Sequence, residues 1–304
     1  MTENKLTTTQ ERGITITPRM PDFSFSAEEV PANWHSEGAI ISAFWNGLSC
    51  TTPALEAFFI RDMRRLEPLI TDFPELQKEL KAFVHQEACH AATHRRWNRL
   101  LADWGGPEER VENRTKKALN FIERWTTSRF RSAMVVSGEH FVGELGNVMI
   151  SRPEVFGTTH EVMRDIWVWH GMEECEHKAV AFDAYTEVYG KGLWSYLTRV
   201  AAFFTSSALV TYAMFMSTRE FLQTTEGESR EWRQLMRYLY GKGGLMSGRA
   251  GAFLAILKPS FHPWDYGSNK EVLDKYSNEI FDPAWEEKAA RKLNRTDAIA
   301  MAQK

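Results

Sequence analysis

Glu87-Ala-Cys-His90 and Glu174-Cys-Glu-His177 place, twice in one chain, a carboxylate and an imidazole three residues apart inside strongly helical sequence. An α-helix turns ~100° per residue, so positions i and i+3 share a face and aim one oxygen and one nitrogen donor at a common point. A second such pair on another helix can close a metal site. Taking Glu87 as zero, His90 falls at about 300° and His94 at about 340°; taking His170 as zero, Glu173 falls at about 300°, Glu174 at about 40° and His177 at about 340°. Glu-x-x-His-x-x-x-His thus faces His-x-x-x-Glu-x-x-His, its near mirror image. Cys89 and Cys175 lie about 200° and 100° from the glutamates beside them, which makes these thiols packing residues.

A two-metal site in a four-helix bundle needs one further carboxylate from each of the other two helices. Glu56 supplies one from the helical stretch Pro53 to Leu66, and Glu139 the other from Arg131 to Leu145, each set among apolar neighbours. The order Glu56, Glu87 with His90, Glu139, Glu174 with His177 predicts an all-α four-helix bundle with additional C-terminal helices. A lone Glu-x-x-His arises easily by chance. Four carboxylates on apolar faces are different, because burying them without cations costs several kcal/mol each and their repulsion raises their pKa values.

His94 and His170 extend the ligand list, as metal-bound imidazoles, as supports behind the ligands, or as buried rings satisfied by carbonyls. Glu173 reads as a supporting or surface charge, Glu144 as solvated or paired, and His140, about 100° from Glu139, as facing another neighbourhood. Four carboxylates with two or more imidazoles form a hard to borderline set suited to iron or manganese, whereas structural zinc prefers thiolates in a closed site. Two iron ions are the expected cofactors, ahead of manganese or zinc.

The ligand order resembles the ferritin-like di-iron carboxylate proteins. Finer segments resemble the predicted metal-dependent hydrolase family: Phe83-Val-His-Gln-Glu-Ala-Cys-His-Ala-Ala-Thr-His94, Trp169-His-Gly-Met-Glu-Glu-Cys-Glu-His-Lys-Ala-Val-Ala-Phe-Asp183 and Lys258-Pro-Ser-Phe-His-Pro-Trp264. The resemblance spans most of residues 14 to 266, and the Phe-His-Pro-Trp segment has no obvious chemical role. It implies a ferritin-like bundle and a non-haem di-iron oxygenase that hydroxylates a lipophilic small molecule, with dioxygen as co-substrate and electrons from a ferredoxin or reductase. The rival reactions are hydrolysis at a binuclear centre and non-enzymatic iron binding. A homodimer is one compatible assembly.

With 304 residues, 43% hydrophobic and 25% charged, the chain can bury a large core. A net charge of −3 gives no electrostatic reason to expect nucleic acid. Three cysteines argue against a disulfide scaffold, and a polar start without an apolar core is unlike a signal peptide, so the expected location is cytoplasmic. Apolar periodicity predicts helices over 36–50, 53–70, 75–104, 108–127, 130–150, 159–189, 193–223 and 229–257. The expected organisation is a polar N-terminal arm over 1–31 and a single helical di-metal domain over 32–304. Val200 to Thr218 carries no charge and nearly reaches spanning length, but its six Ser/Thr residues and flanking Arg199 and Arg219 favour a helix buried against the bundle over a membrane span. Phe203, Phe204, Tyr212, Met214 and Phe215 there are candidates to line a lipophilic tunnel. Trp97, Trp104, Trp125, Trp167 and Trp169 are candidates to shape a pocket near the motifs, or simply to fill the core.

Overall fold

Pro53 is carried inside the first helix rather than ending it. The computed structural model of the protein describes residues 8–23, 26, 29–157, 159–224, 232–268 and 270–280, and α1 runs through them unbroken from Ala39 to Leu66. A proline offers no N–H to the carbonyl four residues back. That carbonyl belongs to Ser49, and it accepts instead from Asn98 Nδ2 on the neighbouring helix at 3.1 Å. The helices expected over 36–50 and 53–70 are therefore one.

The remaining helices are α2 (Pro74–Asp103), α3 (Glu108–Trp125), α4 (Ser128–Ser151), α5 (Glu161–His177), α6 (Val180–Tyr189), α7 (Leu193–Leu222), α8 (Trp232–Tyr240), the short α9 (Ala250–Phe253) and α10 (Lys270–Ile280). No strand occurs among the described residues, and the fold is an all-α helical bundle. α1 lies along α2 and α4 along α5, while α7 packs across α1 and α4 and α3 covers α1. The α4–α5 approach is set by two glycines. A Cβ on Gly146 would meet Gly171 O at 2.5 Å and Glu174 Cβ at 3.2 Å, so this pair brings the backbones of two motif-bearing helices together.

The stretch expected as one helix over 159–189 is interrupted at Lys178 and Ala179. Both keep right-handed helical dihedrals in the turn that separates α5 from α6. Lys178 Nζ is drawn outward to the carbonyls of Tyr266 at 2.6 Å and Ser268 at 2.7 Å. Between 229 and 257 the expected helix is broken; α8 ends at Tyr240, and Gly243 and Gly248 adopt φ of 77° and 74°, left-handed backbone that favours glycine. Residues 229–231 lie outside the described residues, and α10 lies beyond the last helix expected.

Residues 8–23 of the N-terminal segment lie on the bundle, with Ile14, Ile16, Met20 and Phe23 buried. The other parts of the expected arm, 1–7, 24–25 and 27–28, lie outside the described residues, as does 281–304. α7 is buried on one face only, through Ala202, Phe203, Ser206, Ser217, Thr218 and Phe221. Trp194, Phe204, Tyr212 and Phe215 are exposed, and only 22% of its most apolar window is buried. A helix buried against the bundle was expected from the Ser/Thr content and the flanking arginines; one face is buried so, and the exposed face is apolar as well. By length and composition it is long and apolar enough to cross a membrane.

Candidate metal centre

The mirrored motifs converge because helical phase puts their donors on facing sides of α2 and α5. Glu56 of α1, His90 of α2 and His170 of α5 form one group, and Glu87 of α2, Glu139 of α4 and Glu174 and His177 of α5 a second. Within each group the donor atoms all lie within 4.8 Å of one another, and every member is buried. Glu174 joins the groups. Its Oε1 lies 2.9 Å from His170 Nε2 and 3.4 Å from His90 Nδ1, whereas Oε2 lies 3.2 Å from His177 Nε2. His90 and His170 stack at 4.0 Å between ring centres.

Six donor atoms in this pocket have no hydrogen-bond partner: both oxygens of Glu56 and of Glu139, Glu87 Oε1 and His90 Nδ1. Buried acceptors are rarely left this way, since each forfeits its hydration. These atoms converge from α1, α2 and α4, with Glu174 and His177 of α5 beside them, and such a convergence fits cations. The residues present are therefore a suitable host for two hard or borderline metal ions.

The imidazoles are oriented from behind. Gln86 Nε2 donates to Glu176 Oε2 at 2.8 Å and to Thr17 O at 3.2 Å, groups that only accept. Its Oε1 must therefore face His177, whose Nδ1–H donates to it at 2.8 Å, so that in the neutral ring Nε2 is the bare nitrogen toward the carboxylates. His90 Nε2–H donates to Glu173 Oε2 at 3.1 Å, leaving Nδ1 bare. Arg19 then ties Glu173 and Glu176 together. Such outer contacts fix tautomer and ring orientation and raise the basicity of the ligand.

Electrostatics agree with a cation host. Burial, then the charges of neighbouring carboxylates, holds Glu56 and Glu87 well above the usual carboxylate range. Burial also pushes Glu139 up to about 7, against the pull of His177. Burial opposes the charge on Glu174 and on His177, but the histidines around Glu174 hold it well below the ordinary value, and Glu174 with Glu139 holds His177 well above. The raised values of Glu56, Glu87 and His177 mark groups that bind protons more readily than usual when no cation balances the buried carboxylates.

All eight residues singled out in the sequence are buried around this centre, but His94 stands outside both groups. Its Nε2 meets His170 Nδ1 at 2.8 Å, so it lies behind His170 rather than beside the carboxylates. Glu173 is the support behind His90. Glu144 pairs with Arg249, and His140 faces the carbonyls of Ala252 and Phe253. Trp169 sets its ring edge-on to His90 at 4.9 Å and Trp167 lies over His94 at 4.8 Å, while Trp125 is exposed. The Phe-His-Pro-Trp segment clasps α6, where His262 Nε2–H donates to buried Asp183 at 3.1 Å. Arg19, Ser49, Gln86, Asn98 and Glu176 were missed. Gln86 and Glu176 adjoin the motifs and could have been found there; the other three carry no signal in their own residue type.

Residues 17–267 match the family described as predicted metal-dependent hydrolase, and the chain belongs to that family. No match was found among curated proteins or among solved structures.

Proposed function

We propose that this member of the predicted metal-dependent hydrolase family is a binuclear metalloenzyme with hydrolysis as its reaction class. The observation that carries the two-metal reading is Glu174, one carboxylate with an oxygen turned to each histidine group. The family description supports the hydrolytic class. Bound here, two divalent cations supply Lewis-acid polarisation and an acidified water. Glu56, His90 and His170 would hold one ion and Glu87, Glu139 and His177 the other, with Glu174 shared. Glu173 and Gln86 hold one proton of His90 and of His177 on the outward nitrogens, so the nitrogens facing the carboxylates are the ones that would give up a proton to an incoming cation. Phe83 against His177 and Trp169 against His90 exclude water from the flanks of the ligands.

A ferritin-like di-iron oxygenase is the second reading, favoured by the donor set of four carboxylates and three imidazoles with no thiolate. Dioxygen, an external electron donor and a lipophilic substrate belong to that reading. An apolar pocket between α1, α3 and α7, lined by Leu48, Leu55, Leu119, Leu209, Tyr212 and Met214, favours an apolar ligand. Metal analysis after anaerobic purification separates the readings when paired with ester and phosphoester hydrolysis under nitrogen, and with oxygen uptake in the presence of a reductant. Two metals and oxygen-independent hydrolysis support the first. Two irons and reductant-dependent oxygen uptake support the second, and less than one metal per chain removes both.

A further inference from the structure

The interruption that Pro53 makes in the hydrogen bonding of α1 is linked, atom by atom, to His170. The Ser49 carbonyl, left without its helical donor, accepts from Asn98 Nδ2 at 3.1 Å. A carbonyl can only accept, so this contact fixes which way the Asn98 amide points. Its Oδ1 then lies 2.8 Å from Ser49 Oγ, and the serine proton is committed to it. Ser49 Oγ must therefore accept from His94 Nδ1–H, at 2.8 Å. A neutral His94 protonated on Nδ1 has a bare Nε2, which accepts from His170 Nδ1–H at 2.8 Å. His170 Nε2 is left bare, and it is the atom turned toward Glu174 and, at 3.7 Å, toward Glu56.

We propose that Asn98, Ser49 and His94 form a positioning chain that fixes the tautomer and ring orientation of His170 and so keeps its Nε2 available to a metal ion. The inference rests on the two-metal reading above. His94 is a positioning residue in it, not a ligand. The chain is not a proton conduit, because it ends at an amide whose carbonyl oxygen and nitrogen are both engaged and which holds no titratable group. In the opposite arrangement His170 carries its proton on Nε2, facing Glu174 Oε1, and each donor along the chain reverses. Asn98 Oδ1 then loses the serine proton, with no other donor to it among the described residues, in a residue only 6% exposed. The chain biases His170 toward the metal-competent form, and apparent affinity scales with the population of that form. It does this with neutral groups only, unlike the carboxylate of Glu173 behind His90.

Cobalt(II) titration of metal-stripped protein, followed by the visible absorption of the bound ion and by equilibrium dialysis, tests the chain. Wild type is expected to bind two ions per chain. His94→Leu, which removes the acceptor, should weaken one site by about 10–100-fold, while His94→Gln, which retains an acceptor carbonyl, should stay within about threefold of wild type. Ser49→Ala should weaken the same site to an intermediate degree. Unchanged affinity in folded His94→Leu, or equal losses in His94→Leu and His94→Gln, overturns the chain. If His94→Leu does not fold, Ser49→Ala decides, and unchanged affinity there overturns it as well. Fewer than two ions in wild type overturns the two-metal reading, and the chain with it.

Discussion

Arg19 of the N-terminal segment grips Glu176 of α5 with both terminal guanidinium nitrogens, Nη2 to Oε1 at 2.8 Å and Nη1 to Oε2 at 3.1 Å. The same Nη1 lies 3.1 Å from Glu173 Oε1. One cation therefore secures the carboxylate behind His90 and the carboxylate that orients Gln86 behind His177. Burial opposes its charge, but the two carboxylates more than offset that and raise its pKa.

Arg19→Gln should loosen both metal groups at once. It leaves two carboxylates buried with less compensation, at a cost of about 3 kcal/mol in the stability of the metal-stripped protein. Denaturant titration and metal content after dialysis check this. Wild-type stability with full metal retention would show that the segment carries neither role.

Glu174→Ala and Glu56→Ala should differ in kind. Glu174 has an oxygen on each group, whereas Glu56 belongs to one, so the first variant should lose both metals and the second only one. Glu87→Ala and His177→Ala should also lower bound metal below two equivalents. Elemental analysis of the folded variants reads the stoichiometry. Equal losses in Glu174→Ala and Glu56→Ala would contradict the bridging assignment.

Acidification should stabilise the metal-stripped protein between pH 8 and pH 6.5. Glu56 and Glu87 are held well above their ordinary value and Glu139 is pushed up to about 7, so the folded state binds these protons more tightly than the unfolded chain does. Stability from groups with raised folded pKa values is present at lower pH and lost as pH rises through those values. His90 and His177, also raised, act in the same direction. His94 and His170 act oppositely, since burial lowers both and takes His170 to about 4, but their effect enters only below the ordinary histidine value of 6.5. Calorimetry should give a Tm that rises by a few degrees over this window. Metal-loaded protein should show the reverse trend, because protons compete with the metal for the same donors.

α7 should leave the protein extractable without detergent. Ala202, Phe203, Ser217 and Phe221 are packed on the bundle, and a spanning position would tear that face from α1 and α4. Ultracentrifugation of a detergent-free lysate checks the outcome. Recovery in the membrane pellet alone would refute it.

The apolar periodicity determined the helical class without any coordinates, and the two Glu-x-x-His repeats with the apolar-face glutamates gave the candidate donors on each helix. Both depend on helical phase, and phase is local: ~100° per residue fixes which side chains share a face whatever the helix later packs against. Glu56, Glu87, His90, Glu139, His170, Glu174 and His177 were legible for that reason. Local rules also failed where a distant group intervened. Pro53 was read as a break because its missing N–H is visible in sequence, whereas the Asn98 amide that satisfies Ser49 O comes from another helix. The place of His94 behind His170, the grip of Arg19 across 157 residues and the single buried face of α7 were decided only by tertiary packing. Each depends on which surfaces meet and which donors reach which acceptors across helices, and residue spacing along one helix holds no information about either.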